Sequence, residues 1–288
     1  MNKFLSLFFA GCIALVIFSC VPPDPAAIYG LTPNDPNNPG ANIAGPRIIT
    51  KSDSAGIVIE EYFSTPSGLL QAVVNKNGDT TAIDYNSNNK INKIVRTSST
   101  SKIEIKLYYD SSGKVSQITD ENFVGIMSLS FQLSELEYNA SGKISKITRK
   151  KALTGSPGSN DWSHYTISTM TYSGENLVKI EDEHGFVTNN VLDPAIPQMG
   201  MTYLFENFDN KINPMTTLPK EYHIGMSSLH SLLLAGLNYN NMMKSTMIYA
   251  ISPSAPIITT VSDMVYDSYN YPISADIGLR KIYYKPIQ

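Results

Sequence analysis

The residues of this chain that could do chemistry are few and scattered. Its four histidines stand at 164, 184, 223 and 230, and only His223 and His230 are close in sequence. A short helix is expected to start between them, which makes them packed or exposed imidazoles rather than a metal pair. Glu181-Asp182-Glu183-His184-Gly185 is the densest polar cluster. Carboxylates crowded on one short segment repel each other unless water separates them, so it reads as a solvated turn end. Ser111-x-x-Lys114 has the spacing of a nucleophile and its base, but Ser111 lies inside a repeated turn where Ser and Lys are ordinary. No Gly-x-Ser-x-Gly, phosphate loop, His-Glu-x-x-His or calcium-loop spacing occurs. These readings provide no catalytic residue, no metal site and no cofactor, and the chain is expected not to be an enzyme. Trp162, the only Trp, follows a Gly/Ser/Pro loop, and Tyr165 comes soon after. This pair is the candidate binding site: aromatic rings there suit a sugar, or simply pack on a neighbouring strand.

One residue does have a defined chemistry. Lys3 supplies a short positive start, Phe4 to Phe18 form an apolar run, and Ile17-Phe18-Ser19-Cys20 resembles the lipobox of bacterial lipoproteins. The run is shorter than the roughly 20 residues of a membrane span, and no charged stop follows it. Residues 1–19 are therefore expected to be cleaved, leaving Cys20 as a lipidated first residue that anchors the chain to the membrane. Cys12 leaves with the signal, so the mature chain has no free thiol. Residues 20–46 form a tether: seven prolines fall between Val21 and Pro46. Such a segment tends to an extended helix of about 3.1 Å per residue, enough to hold a domain up to roughly 80 Å from the anchor. The expected location is the bacterial envelope, on the outer membrane, with the periplasmic and surface faces both open.

The remaining elements are β. Hydrophobic residues make up 42% of the 288-residue chain and charged residues 16%, with a net charge of −3. That is enough apolar material for a core and excludes a basic nucleic-acid footprint. A turn repeats along the sequence. Tyr109-Asp110-Ser111-Ser112-Gly113-Lys114 and Tyr138-Asn139-Ala140-Ser141-Gly142-Lys143 are its clearest copies, and Tyr85-Asn86-Ser87-Asn88-Asn89-Lys90 is a third. Looser copies begin at 75, 173, 207, 238 and 267. A short polar side chain starts a type I turn, and the Gly or Asn three residues later takes positive φ, which gives a hairpin with a bulge. Between turns the apolar residues alternate. Ile103, Ile105, Leu107 and Tyr109 oppose Lys102, Glu104 and Lys106, and Leu129, Phe131 and Leu133 oppose Ser and Gln. Each set predicts a strand with one buried face, and the phase break between Leu133 and Leu136 predicts a bulge.

The copies at 109 and 138 resemble the tyrosine–aspartate (YD, or RHS-type) repeat. The whole chain is similar to a family of Bacteroidetes lipoproteins of unknown function with a porin-like fold. The resemblance rests on the lipobox with its tether, on Phe208-Asp209-Asn210-Lys211-Ile212-Asn213-Pro214, and on Asn240-Asn241 followed later by Tyr269-Asn270-Tyr271-Pro272. It implies a fold and a location, and no activity.

The expected domain, residues 47–288, is an all-β antiparallel meander of roughly 12 to 16 strands curled into a barrel-like sheet. Charged outward positions on the strands argue against a membrane barrel, whose lipid face must be apolar. Something must fill the lumen of such a barrel. The candidates are the loop at 185–201 and one short helix at 227–236, whose Leu229, Leu232, Leu233 and Leu234 are expected on the concave face. The functional expectation is a non-catalytic envelope binding module for glycan, peptide or protein. The alternative is a structural envelope protein with a plugged barrel and no small ligand.

Overall fold

The computed structural model describes residues 45–153 and 161–288. The signal sequence, Cys20, nearly all of the tether and the loop before Trp162 lie outside the described residues. The strands are β1 (Arg47–Ser54), β2 (Ile57–Ser64), β3 (Leu70–Asn75), β4 (Thr80–Tyr85), β5 (Ile91–Thr97), β6 (Lys102–Tyr109), β7 (Val115–Val124), β8 (Met127–Tyr138) and β9 (Ile144–Ala152). They continue as β10 (His164–Ser173), β11 (Asn176–Thr188), β12 (Val191–Leu192), β13 (Met201–Ile212), β14 (Asn240–Tyr249), β15 (Ile257–Thr260), β16 (Val265–Tyr266), β17 (Pro272–Ala275) and β18 (Arg280–Pro286). One α-helix, α1 (Lys220–Met226), and two 3-10 segments, Pro214–Thr217 and Ser231–Leu237, fall in the long connection between β13 and β14.

Neighbours in sequence pair antiparallel almost throughout, and β1 pairs with both β2 and β18. The sheet thus curls back on itself as a meander, but it does not close. β15 pairs with β14 and β16 pairs with β17, and no ladder joins β15 to β16 among the described residues. Residues 261–264 carry the chain from one ladder to the other. Two polar clasps flank this seam. On one side Asp276 N–H donates to Ser262 O at 2.7 Å. On the other, Asp209 accepts from Asn241 N–H at 3.1 Å, from Asn241 Nδ2 at 3.0 Å and from the Tyr266 hydroxyl. Lys211 Nζ reaches Asn270 Oδ1 at 2.7 Å beside it. The scattered motifs around Asp209, Asn241 and Asn270 meet here.

The two ends of the roll differ. At one end lie the turns after β4, β6, β8 and β16, whose first residues are Asn86, Asp110, Asn139 and Asp267. Each accepts with its Oδ1 from the N–H groups two and four residues on, as Asp110 does from Ser112 at 2.8 Å and Lys114 at 2.9 Å. Gly113 and Gly142 both have φ of 79°. The tyrosines before the turns after β4, β6, β8 and β10 reach back to the neighbouring hairpin, whereas Tyr266, before the turn after β16, donates to Asp209. Tyr85 donates to Leu70 O at 2.8 Å, Tyr109 to Ile91 O at 2.5 Å, Tyr138 to Val115 O at 2.7 Å and Tyr172 to Ile144 O at 2.9 Å. The turn at 75 has the same form at the opposite end. The copy at 173 is instead a two-residue turn, since Ser173 pairs directly with Asn176. The copies at 207 and 238 are not hairpins. Asn207 has φ of 55° inside β13, and Asn238 leads into β14.

In β6 the alternation is as expected from Ile105 on, with Ile105 and Leu107 buried and Lys106 exposed, whereas Lys102, Ile103 and Glu104 are all half-buried. In β8 it is reversed. Ser130 and Ser134 face inward and are buried, while Leu129 and Phe131 face outward. Register runs unbroken from Phe131 to Glu137, so no bulge separates Leu133 from Leu136. The phase break marks the level at which the inner face turns from apolar to polar. Glu181–Gly185 is likewise no turn end. It lies within β11, where Asp182 points inward and Glu181 and Glu183 outward.

The lumen is plugged by the β13–β14 connection. The expected helix at 227–236 sits elsewhere: α1 ends at Met226, Ser227 caps it with its N–H on His223 O, and Ser231–Leu237 is 3-10. Pro219 and the acidic Glu221 start the helix, a Pro-then-acid signal that the Leu-rich stretch downstream obscured. Ile224, Met226 and Leu234 join the same core as Ile94, Ile105, Leu107, Ile118 and Ile147. Leu232 and Leu233 are exposed. The loop at 185–201 stays in the wall, where Ile196 N–H bonds His184 O along the edge of β11.

Candidate functional site

A polar layer holds the plug to the wall. Arg149 is buried, with Nη1 2.5 Å from Ser168 Oγ and Nη2 3.0 Å from Ser227 O. Ser168 Oγ donates to Asp182 Oδ1 at 2.5 Å, and Ser231 Oγ donates to the same carboxylate at 3.0–3.1 Å. Gln132 Nε2 bridges Asp120 Oδ2 and Ser228 O, both at 2.8 Å. Burial pushes the Asp120 carboxyl up to about 6, against the pull of Ser228 and Lys151. Burial lowers the Arg149 guanidinium, and Asp182 and Asp120 oppose it. These groups are bonded to each other and to plug carbonyls, and Gln132 is the residue through which the inner face of β8 joins them.

The histidines are similarly engaged. His223 is buried, its Nε2 2.9 Å from Met215 O, and its affinity for a proton is lowered by burial. His230 Nδ1 accepts from Leu232 N–H at 3.2 Å, and its Nε2 lies 3.2 Å from the Tyr203 hydroxyl. Among the described residues no group of three His, Cys, Asp or Glu could hold a metal ion, and no helix is long and apolar enough to cross a membrane.

Trp162 is half-buried on the outer face, stacked on Phe131 with ring centroids 5.9 Å apart. Tyr165 is buried. Its ring covers Gly185, where a Cβ would come within 2.5 Å of it, and its hydroxyl donates to Asp193 O at 2.7 Å. The structure therefore places the two rings in wall packing. Their stretch of wall belongs to the end opposite the Tyr-bearing turns. That end carries exposed apolar tips: Ile57, Ile126, Met127, Leu153, Val191, Ile251, Ile277 and Leu279.

The plug leaves part of the lumen open. A cleft of about 570 Å³ lies between the plug and the wall made by β1, β2, β14, β17 and β18, beside the crossover at 261–264. Its lining is mainly apolar: Ile59, Met215, Met242, Val261, Met264 and Ile282, with Ala235, Gly236 and Ala275 leaving room between them. Ser52, Ser54 and Arg280 stand at its outer end, where β1 and β18 run into their turns. The two turns touch there, Ala55 N–H donating to Leu279 O at 2.6 Å. Its volume is in the range of small-molecule sites, roughly 300–1,000 Å³. No sequence signal marks it, because its methionines come from three separate segments.

No family model and no curated protein matches this chain. Among solved structures it is similar to a porin-like protein from Bacteroides vulgatus, with 12% identity over 83% of this chain and 99% of that one and a TM-score of 0.43. A porin-like protein from Bacteroides uniformis has 14% identity over 86% and 97% of the two chains, with a TM-score of 0.44.

Proposed function

We propose that this protein is a non-catalytic binding module of the bacterial envelope, anchored through lipid on Cys20, that holds its ligand between plug and wall. The observation that carries this reading is the open, mainly apolar cleft of about 570 Å³ between plug and wall. A purely structural plug gains nothing from such a void, since an unfilled cavity forfeits packing. The apolar tips at the same end offer a second surface, suited to a protein partner. The test is native mass spectrometry of protein purified from cell envelopes. A bound small molecule at one per chain, lost when Met264→Trp fills the cleft, is the expected result. A ligand-free protein, indifferent to that substitution, would favour the alternative of a plugged structural protein. That alternative draws its support from the buried Arg149–Ser168–Asp182–Ser231 layer, which fastens the plug. Anchoring is tested separately: Cys20→Ala should move the protein out of the membrane fraction.

A further inference from the structure

From the lining of the cleft we infer that its ligand carries a single long hydrocarbon chain, with the head group at the Arg280 end. This names the ligand class for the binding reading above and rests on it. Four observations point the same way. First, the inner part of the cleft has no aromatic platform and few donors, which a sugar would need. Second, Met215, Met242 and Met264 supply flexible thioethers, which adapt to a chain that has no fixed shape of its own. Third, the polarity is graded. The charged and hydroxyl residues of the lining, Ser52, Asp53, Ser54, Arg280 and Lys281, gather on β1 and β18 at the outer end. Met215 and Gly236 belong to the plug at the inner end, where Asn213 and Asn241 have their amides bonded to Asn238 O, Asp209 and Ile212 O. Arg280 gives its Nε to Asp276 at 2.7 Å and keeps its terminal nitrogens for a head group, with Asp276 as the nearest ion-paired carboxylate.

Fourth, the route in is apolar. Ile57, Ile277 and Leu279 sit on the two turns just beyond Ser54 and Arg280, and all are exposed. Ile277 is 86% exposed and has φ of 57°. A β-branched residue is disfavoured at that φ, and an apolar one is disfavoured in water. Together these tips set exposed apolar surface beside the mouth of the cleft, where a chain can rest before it passes Ser54 and Arg280.

The experiment uses residues 21–288, which lack the lipidated cysteine and need no detergent. Among the described residues the buried apolar core runs from Ile48 to Tyr284, all within this segment, and a cooperative melt confirms that each preparation is folded. Palmitate is titrated by calorimetry against this protein and against Met264→Trp and Val261→Trp, two half-buried positions of the crossover. Saturable binding of one palmitate per chain, weakened at least about tenfold by both substitutions with the ligand-free melting temperature unchanged, is expected. Palmitate that binds equally well to both tryptophan variants, or that does not saturate, overturns the inference. If palmitate fails while a ligand recovered from envelopes is still displaced by Met264→Trp, the hydrocarbon class is wrong and the binding reading stands. If nothing is displaced by either substitution, the binding reading falls with it.

Discussion

At the scale of single residues, the turn glycines and one buried acid carry measurable consequences. Gly142 has φ of 79°, and a Cβ there would meet only the flexible end of Lys114, at 3.5 Å. Gly142→Val therefore isolates the backbone cost, and chemical denaturation should show a loss of about 1–2 kcal/mol. Gly142→Asn should lose less, because Asn tolerates that region. Asp120 bears on pH. Its folded-state value is raised to about 6 by burial, above its ordinary value of 3.8, so the folded state binds the proton more tightly than the unfolded one. Its own contribution to stability is then greatest below about pH 4, falls as pH rises towards 6 and is flat beyond, a change of up to about 3 kcal/mol that the lowered carboxyls of Glu104 and Asp267 oppose. Asp120→Asn should remove this slope and raise stability at neutral pH, read from urea melts at several pH values. Both residues stood in plain view in the sequence. The glycine's role was legible because turn chemistry is local. The acid's was not, because its burial depends on the plug residue Ser228 and on Gln132 of a neighbouring strand.

At the scale of elements, the plug and the seam decide how the roll holds together. A Cβ on Gly225 would lie 2.7 Å from Ile94 Cδ1 and 3.2 Å from Leu107 Cδ1. Gly225→Val should push α1 off β5 and β6 and cost about 1–3 kcal/mol in thermal or urea unfolding. Substitution of exposed Leu233 by Ser should change little, since that side chain lies outside the packed surface of the plug. The seam depends on Asp209. Removing its carboxylate leaves the Asn241 backbone N–H and the Tyr266 hydroxyl without their acceptor, while Asn241 Nδ2 keeps Ile212 O, and Asp209→Ala should destabilise by about 2–3 kcal/mol. Hydrogen exchange should locate the loosening at β14 and β16. An even loss of protection around the whole sheet would contradict the clasp assignment. The Asp209, Asn240-Asn241 and Asn270 segments meet at this seam, and their bonds supply a physical reason for such residues there. They sew together two strands that no backbone ladder joins.

At the scale of the molecule, the roll has unlike ends and unlike heights. β8, β11 and β13 run 12 to 13 residues, whereas β1, β2 and β18 run 7 or 8. The tall side projects beyond the short one at the apolar end. Ile126 is 98% exposed and Met127 63%, on a hairpin tip that nothing in the fold requires to be apolar. Replacing both by Ser should shorten retention on a hydrophobic column and reduce self-association on sizing, with the melting temperature unchanged. Unaltered retention would mean that the tips are shielded in solution.

What the sequence by itself determined is local. Turn position, the positive φ of Gly113 and Gly142, the inward face of β6 and the meander order follow from interactions within a few residues, or from period-two patterning against a single core. Tertiary structure decided the rest. The face that β8 buries was inverted because its inner neighbours are a polar plug and Arg149, which come from distant segments. The plug's helix moved upstream because Pro219 and Ser227 bound it more firmly than the leucines that follow. Closure was decided at 261–264, where one strand changes partners and the ladder stops. The cleft exists only because that crossover, the plug and five wall strands leave space between them, and no pattern along the chain encodes a space between segments.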